Sequence, residues 1–141
     1  MSTAKKEHSF FGFRMFDRNS NEIDLSKFKN RDFIVVVNCL LQDEAEERAA
    51  YYISLENKFD KNVQIICVPA ARFFYDGHQD NESERLIVFL KKKSNCHNNV
   101  DDGLIFFIDN RKHSVSDEVI SYIGNNLKVD QLSNEISKRI N

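Results

Sequence analysis

Short apolar runs rich in β-branched residues are the most regular feature of this chain. Such runs are typical of strands that are covered on both faces of a sheet. They occupy residues 33–39, 63–68 and 104–108, and residues 114–121 predict a further strand. Ahead of them, residues 10–21 alternate apolar and polar positions before a polar turn, and residues 22–25 return. This alternation predicts an amino-terminal β-hairpin.

Between the runs, apolar residues repeat at three- and four-residue spacing, which predicts amphipathic helices over residues 42–59, 81–93 and 129–140. The expected packed faces are Ala45, Ala49, Tyr52, Ile53 and Phe59 in the first helix, Leu86, Ile87, Phe89 and Leu90 in the second, and Val129, Leu132, Ile136 and Ile140 in the third. The order hairpin, β, α, β, α, β, β, α predicts an α/β sandwich with parallel strand pairing at its centre.

The composition is typical of one soluble globular domain. The chain has 141 residues, of which 41% are hydrophobic and 30% are charged. We expect residues 1–9 to be a tail and residues 10–141 a single domain. No apolar run approaches the roughly 20 residues that span a bilayer, so no membrane partner is expected. A net charge of −2 gives no electrostatic argument for nucleic acid as a direct partner.

The three cysteines, Cys39, Cys67 and Cys96, are odd in number and well separated, which is typical of a reduced intracellular chain. Residues 1–8 lack the apolar core of a secretory signal, so we expect a cytoplasmic location, with mitochondria as the alternative. Cys39 and Cys67 are expected to be small buried hydrophobes. Cys96 lies in a polar, asparagine-rich loop and is expected to be exposed.

No metal site or cofactor is expected from this sequence. Cys96 and His97 are adjacent, but a zinc site needs further ligands at suitable spacing. The remaining histidines, His8, His78 and His113, do not supply that spacing.

Four segments carry a resemblance to a known family. They are residues 13–15 with the sequence NEIDLSKFKN at 21–30, the strand that ends in Asn38, the sequence VPAARF at 68–73, and the sequence FFID at 106–109. Each is similar to the corresponding segment of glutathione peroxidases. The resemblance implies a thioredoxin-like α/β sandwich of the glutathione-peroxidase type with an amino-terminal β-hairpin.

The same resemblance identifies the positions of a lost active site. It places Asp43 where the family has its peroxidatic cysteine or selenocysteine, and Arg72 where it has a glutamine. Asp101 and Asp102 fall near its tryptophan–asparagine pair, and the sequence contains no tryptophan. A carboxylate lacks the oxidation steps that sulfur offers to a peroxide. We therefore expect a pseudoenzyme with no catalytic residues at these degenerate positions.

The charge pattern also predicts a pseudoenzyme, and this argument does not depend on the resemblance to the family. Four carboxylates crowd the first two turns of the first predicted helix, at Asp43, Glu44, Glu46 and Glu47. They stabilise the helix through its dipole, but they oppose a thiolate at Cys39, which needs a nearby positive charge. Asp43 itself is expected to cap the helix, the alternatives being a general base or part of an ion site with Glu44.

Two further features are candidate binding groups. Arg72 is expected either to form a salt bridge with Asp43 or to bind an anion, such as a glutathione-like small molecule. The run Phe73, Phe74 and Tyr75 is a candidate partner-binding site, because aromatic residues dominate interface hot spots. The alternative is that these rings fill the pocket left by the missing tryptophan.

Together these observations predict a non-catalytic glutathione peroxidase-like protein. Its expected role is a structural or protein-interaction subunit of a larger intracellular assembly, because the core-forming residues are kept while the matched catalytic positions have changed. The alternative is a thiol-dependent peroxidase or redox protein that uses Cys39 or Cys96.

Overall fold

The computed structural model describes residues 9–16, 21–39, 42–59, 62–69, 81–98, 103–113 and 118–140. Within these ranges the strands are β1 (Arg14–Phe16), β2 (Glu22–Asp24), β3 (Phe33–Cys39), β4 (Val63–Pro69), β5 (Leu104–Asp109) and β6 (Val119–Asn125). The α-helices are α1 (Gln42–Lys58), α2 (Asn81–Ser94) and α3 (Val129–Ile140). Two short 3-10 helices, Phe10–Gly12 and Leu25–Phe28, flank the β1–β2 hairpin. The predicted order of elements is confirmed.

A four-stranded sheet with the order β4-β3-β5-β6 forms the centre of the fold. β3 and β4 are parallel, as predicted, because helix α1 carries the chain back to the starting edge of the sheet. The pairs β3–β5 and β5–β6 are antiparallel. β1 and β2 form a separate antiparallel hairpin, which the sequence also predicted.

The last strand is displaced from its predicted position. The apolar pattern predicted a strand over residues 114–121, whereas β6 spans Val119–Asn125. Its length follows from its partner, because β6 pairs along the whole of β5, from Asp109 opposite Val119 to Leu104 opposite Asn125. A strand at the edge of a sheet is bounded by the ladder it joins, and the local pattern does not contain that information.

Two hydrophobic clusters cover the two faces of the sheet. Alternate residues of β3 point to opposite faces, so Ile34 and Val36 belong to the first cluster and Val35 and Val37 to the second. α2 and the amino-terminal region cover the first cluster, and α1 and α3 cover the second. The prediction that the central strands are buried on both faces is therefore confirmed.

The packed face of α1 differs from the prediction at one position. Tyr52 is buried and Phe59 packs against the second cluster, but the side chain of Ile53 is 57% exposed. Leu55, only 4% exposed, takes the place predicted for Ile53. A helix turns by about 100° per residue, so Leu55 lies about 60° from Tyr52 around the axis and Ile53 about 100° away. The side chains of Ala45 and Ala49 lie outside the described part of the chain.

The packed faces of the other two helices are largely as predicted. In α2, Leu86, Ile87 and Leu90 are fully buried, and Phe89 is half-buried with its ring centroid 5.0 Å from that of Phe13. In α3 the buried apolar residues are Leu132 and Ile136, and Val129 and Ile140 pack at the margin of the second cluster. Among the described residues, no helix combines the length and the apolar character needed to cross a membrane.

Candidate functional site

The carboxyl ends of β3 and β4 lie side by side because the two strands are parallel. Asn38 is opposite Val68, and Cys39 is opposite Pro69. We call this end of the sheet the carboxyl edge. α1 begins at Gln42, shortly after β3 ends, so the chain turns here from a buried strand into the amino-terminal end of a helix. Asp43 is the second residue of that helix.

Gly103 connects β5 to this edge. Its N–H donates a hydrogen bond to the carbonyl oxygen of Asn38 at 2.7 Å, and its own carbonyl accepts one from the N–H of Asn126 at 2.8 Å. Gly103 has a φ of +72°, and a Cβ atom added there would lie 2.0 Å from Oδ1 of Asn126. A glycine is therefore required, and it links the end of β3 to the connection between β6 and α3.

Asn38 is the most unusual side chain at the carboxyl edge. It is 0% exposed, and it follows Val36 on the face of β3 that belongs to the first cluster. Neither its Nδ2 nor its Oδ1 has a hydrogen-bond partner among the residues that the structure describes. An unsatisfied buried polar group costs about 1–3 kcal/mol. Such a cost at the end of a strand marks Asn38 as a candidate functional residue.

From the sequence, Asn38 was identified only as the last residue of a strand similar to one in a known family, and no function was predicted for it. One signal in the sequence pointed to more, because Asn38 is the only amide that interrupts the apolar run of β3. A polar residue within a strand that is buried on both faces must find a partner or remain unsatisfied. Gly103 was missed as well, although a glycine directly before a buried strand is a common sign of a left-handed turn.

Most of the residues predicted for the site lie outside the described part of the chain. These are Arg72, Phe73, Phe74, Tyr75, Asp101 and Asp102. The backbone of Asp43 lies in α1, but its side chain is also outside that part. The predicted salt bridge between Arg72 and Asp43 and the aromatic partner site therefore stay predictions.

The prediction that Cys96 is exposed is wrong. The residue is 7% exposed and belongs to the first cluster. α2 ends in a tight turn in which Asn95 has a φ of +57° and the N–H of Cys96 donates to the carbonyl of Lys91 at 2.9 Å. In this type of helix end, the residue after the left-handed position packs back on the helix. The polar residues next to Cys96 predicted an exposed loop, and they gave no indication of this turn.

The surroundings of Cys96 do not favour a reactive thiol. The residue lies at the carboxyl-terminal end of α2, where the helix dipole is negative. Tyr122 packs against the same cluster. Burial, with a smaller contribution from Cys96, raises the pKa of its hydroxyl group. Asn98 donates a hydrogen bond to that hydroxyl at 3.1 Å.

The other two cysteines lie on neighbouring strands. Cys67 is opposite Val37 and is half-buried at the margin of the second cluster, so it is less buried than predicted. Cys39 is the last residue of β3, three positions before the start of α1. Its side chain lies outside the described part of the chain, so its predicted burial stays a prediction. Within the described ranges, no three histidine, cysteine or acidic residues come together as a metal site would require.

Comparison with known proteins gives a similarity in structure alone. No family model matches the sequence, and no curated protein matches it. The chain is similar to the crystal structure of Trgpx, a glutathione peroxidase, in its apo form, with a TM-score of 0.61 and 19% sequence identity over 94% of this chain and 95% of that one. The predicted fold class is therefore confirmed, and the fold is a thioredoxin-like α/β fold.

Two bacterial structures are also similar at lower scores. One is the thioredoxin domain of a thiol-disulfide oxidoreductase from Bacteroides vulgatus, with a TM-score of 0.49 and 17% identity over 91% of this chain and 92% of that one. The other is a thiol:disulfide interchange protein from Bacteroides sp., with a TM-score of 0.47 and 17% identity over 89% and 84%.

Proposed function

We propose that this thioredoxin-like protein is a non-catalytic subunit that binds another protein within a larger assembly. The observation that carries the proposal is the acidic start of α1 at the carboxyl edge. Thioredoxin-type chemistry needs a thiolate beside the positive end of a helix. Here Asp43 and Glu44 are the second and third residues of that helix. Their charges offset the positive end of the helix dipole and oppose a second negative charge beside it.

The positions of Cys96 and Cys67 support the same proposal. Cys96 is buried at the carboxyl-terminal end of α2, far along the chain from the acidic corner. Cys67 is in the middle of β4, within a strand whose neighbours Ile66 and Val68 are buried. Exposure beside a positive charge makes a cysteine reactive. Cys96 lacks that exposure, and Cys67 lies half-buried within a strand.

One observation favours a second candidate function, a thiol-dependent peroxidase that uses Cys39. This residue ends β3 directly before α1, at the corner of the fold described above. The two candidates differ in one measurable property, the consumption of hydrogen peroxide with a thiol reductant. We expect no turnover above that of the Cys39→Ser variant. Turnover by the wild-type chain that is lost in Cys39→Ser, and kept in a Cys96→Ser control, would replace the first proposal with the second.

The binding part of the proposal rests on the aromatic run Phe73, Phe74 and Tyr75, which follows the end of β4 at the carboxyl edge in the sequence. Three consecutive aromatic side chains can supply the buried anchors that dominate protein interfaces. This part predicts a stoichiometric complex in the cells that produce the protein. It also predicts that the complex is lost when the three rings are replaced together by alanine.

A further inference from the structure

Among the described residues, the end of the sheet opposite the carboxyl edge carries a group of cations. The segment from the 3-10 helix Leu25–Phe28 to β3 and the turn after β5 contain five of them, Lys27, Lys29, Arg31, Arg111 and Lys112. Two carboxylates, Asp32 and Asp109, are interspersed among them. The excess of three positive charges contrasts with the net charge of −2 of the whole chain. We call these seven residues the basic end.

A buried asparagine holds the two parts of the basic end together. Nδ2 of Asn110, a residue only 2% exposed, donates hydrogen bonds to the carbonyl oxygens of Lys29 and Arg31, both at 2.9 Å. The N–H of Asn110 donates to the carbonyl of Asp32 at 2.7 Å. The loop and the turn are thus fixed against each other, which lowers the entropy lost when their side chains meet a partner.

The two carboxylates of the basic end already form contacts with neighbouring side chains of the same chain. The guanidinium of Arg111 binds Asp109 through two parallel contacts, Nη2 to Oδ2 at 2.7 Å and Nε to Oδ1 at 3.0 Å. This pairing lowers the pKa of Asp109. Asp32 contacts Nε2 of His113 at 2.6 Å. Each of the two acids therefore already contacts a side chain of the turn after β5.

Three lysines of the basic end remain available. Lys27, Lys29 and Lys112 are exposed, and none of them lies within ion-pair distance of a carboxylate in the described part of the chain. Nζ of Lys27 lies 5.2 Å from the ring centre of its neighbour Phe28, which leaves its charge unneutralised. Exposed lysines on a fixed scaffold attract and orient an acidic partner.

We propose that the basic end is a docking surface for an acidic segment of a partner protein. This inference rests on the proposed binding function, and it assigns a second contact at the end of the molecule away from the carboxyl edge. A continuous phosphate backbone fits the surface less well, because Asp32 and Asp109 lie among the cations. The nearby rings offer no platform for bases, because Phe33 is buried and Phe28 is half-buried.

Fluorescence anisotropy with a labelled decaglutamate peptide tests the proposal on the full chain. We expect binding that weakens as the ionic strength rises from about 0.05 M to about 0.5 M. The double variant Lys29→Gln/Lys112→Gln should bind at least about fivefold more weakly, since each exposed ion pair contributes modestly. The matched control is Lys92→Gln/Lys128→Gln, which removes two exposed lysines elsewhere and changes the net charge equally.

Three outcomes would overturn the inference. One is the absence of decaglutamate binding at low ionic strength. Another is an equal loss of binding in the control variant, which would mean that net charge alone is responsible. The last is tighter binding of a single-stranded oligonucleotide of the same charge, with the same dependence on Lys29 and Lys112. None of these touches peroxide turnover or copurification, so the proposed function is tested separately.

Discussion

Asn38 and Asn110 are both buried, and they lie at opposite ends of the same central sheet. They differ in whether the side-chain amide has hydrogen-bond partners. Nδ2 of Asn110 donates to two backbone carbonyls. The amide of Asn38 has no partner among the described residues. A satisfied buried amide fixes local structure, whereas an unsatisfied one lowers stability. Asn110 thus stabilises the basic end, whereas Asn38 lowers the free energy of unfolding at the carboxyl edge.

A loss of stability of this kind is common at functional sites. The carboxyl edge is also the place where a thioredoxin-like fold turns from its central strand into a helix, here one with an acidic start. The contrast between the two ends can be measured through single substitutions.

The largest effect is expected for Asn110→Ala. The change removes two hydrogen bonds and leaves the carbonyls of Lys29 and Arg31 without their donor. We expect the free energy of unfolding to fall by about 2–4 kcal/mol, measured by urea denaturation. A loss below about 0.5 kcal/mol would mean that water replaces the amide, and the two ends would then differ less than we describe.

The next effect is expected for Gly103→Ala. An alanine would adopt a φ of +72° unfavourably, and its Cβ would collide with the side chain of Asn126. We expect a loss of about 2 kcal/mol. The double variant Gly103→Ala/Asn126→Gly should recover part of that loss, because the colliding amide is gone and glycine accepts the φ of +54° at position 126. If the double variant lost as much stability as the two single variants together, the collision between a Cβ at position 103 and the side chain of Asn126 would be contradicted.

A gain in stability is expected for Asn38→Leu. Leucine is similar in size, and it removes two unsatisfied polar atoms from an apolar cluster. We expect the free energy of unfolding to rise by about 1 kcal/mol. The matched substitution Asn110→Leu should instead be destabilising. A loss of more than about 1 kcal/mol in Asn38→Leu would reveal that its amide has a partner in the folded chain.

The smallest effect concerns pH and the pair of Arg111 and Asp109 at the basic end. The hydrogen bonds from Arg111 lower the pKa of Asp109 below its ordinary value of 3.8. The pair therefore stabilises the folded chain above that ordinary value, and the contribution is lost as the pH falls through the lowered pKa. Arg111→Gln should show a shallower loss of stability between about pH 5 and about pH 2 than wild type. Lys92→Gln, at an exposed position in α2, is the control with the same charge change, and its profile should stay close to that of wild type.

The elements of the fold could be predicted from the sequence because strands and helices differ in the period of their apolar residues. Details that depend on pairing or on one backbone angle could not. The bounds of β6 depend on β5, and the burial of Cys96 depends on the left-handed conformation of Asn95. The exchange of Ile53 for Leu55 shows that a helical face read from five apolar residues can be misplaced by part of a turn.

The site was predictable to a smaller extent. A resemblance in sequence predicted which positions correspond to the catalytic residues of a known family, and the structure places the start of α1, which contains one of those positions, next to the carboxyl edge. The sequence shows Asn38 as an amide within an apolar run, but an unsatisfied amide is recognised only when the surrounding side chains are known. The basic end was not predicted either, since its loop and turn are about 80 residues apart in the chain, beyond the reach of any local pattern.

The most direct test of the account is the affinity purification of the tagged chain from its source cells, followed by native sizing. We predict a stoichiometric complex larger than 16.5 kDa. We also predict its loss in the Phe73→Ala/Phe74→Ala/Tyr75→Ala variant, and its persistence in Tyr51→Ala, which removes an exposed aromatic ring of α1. A lone 16.5 kDa species from wild-type cells would contradict the central claim that the fold is kept for binding a protein.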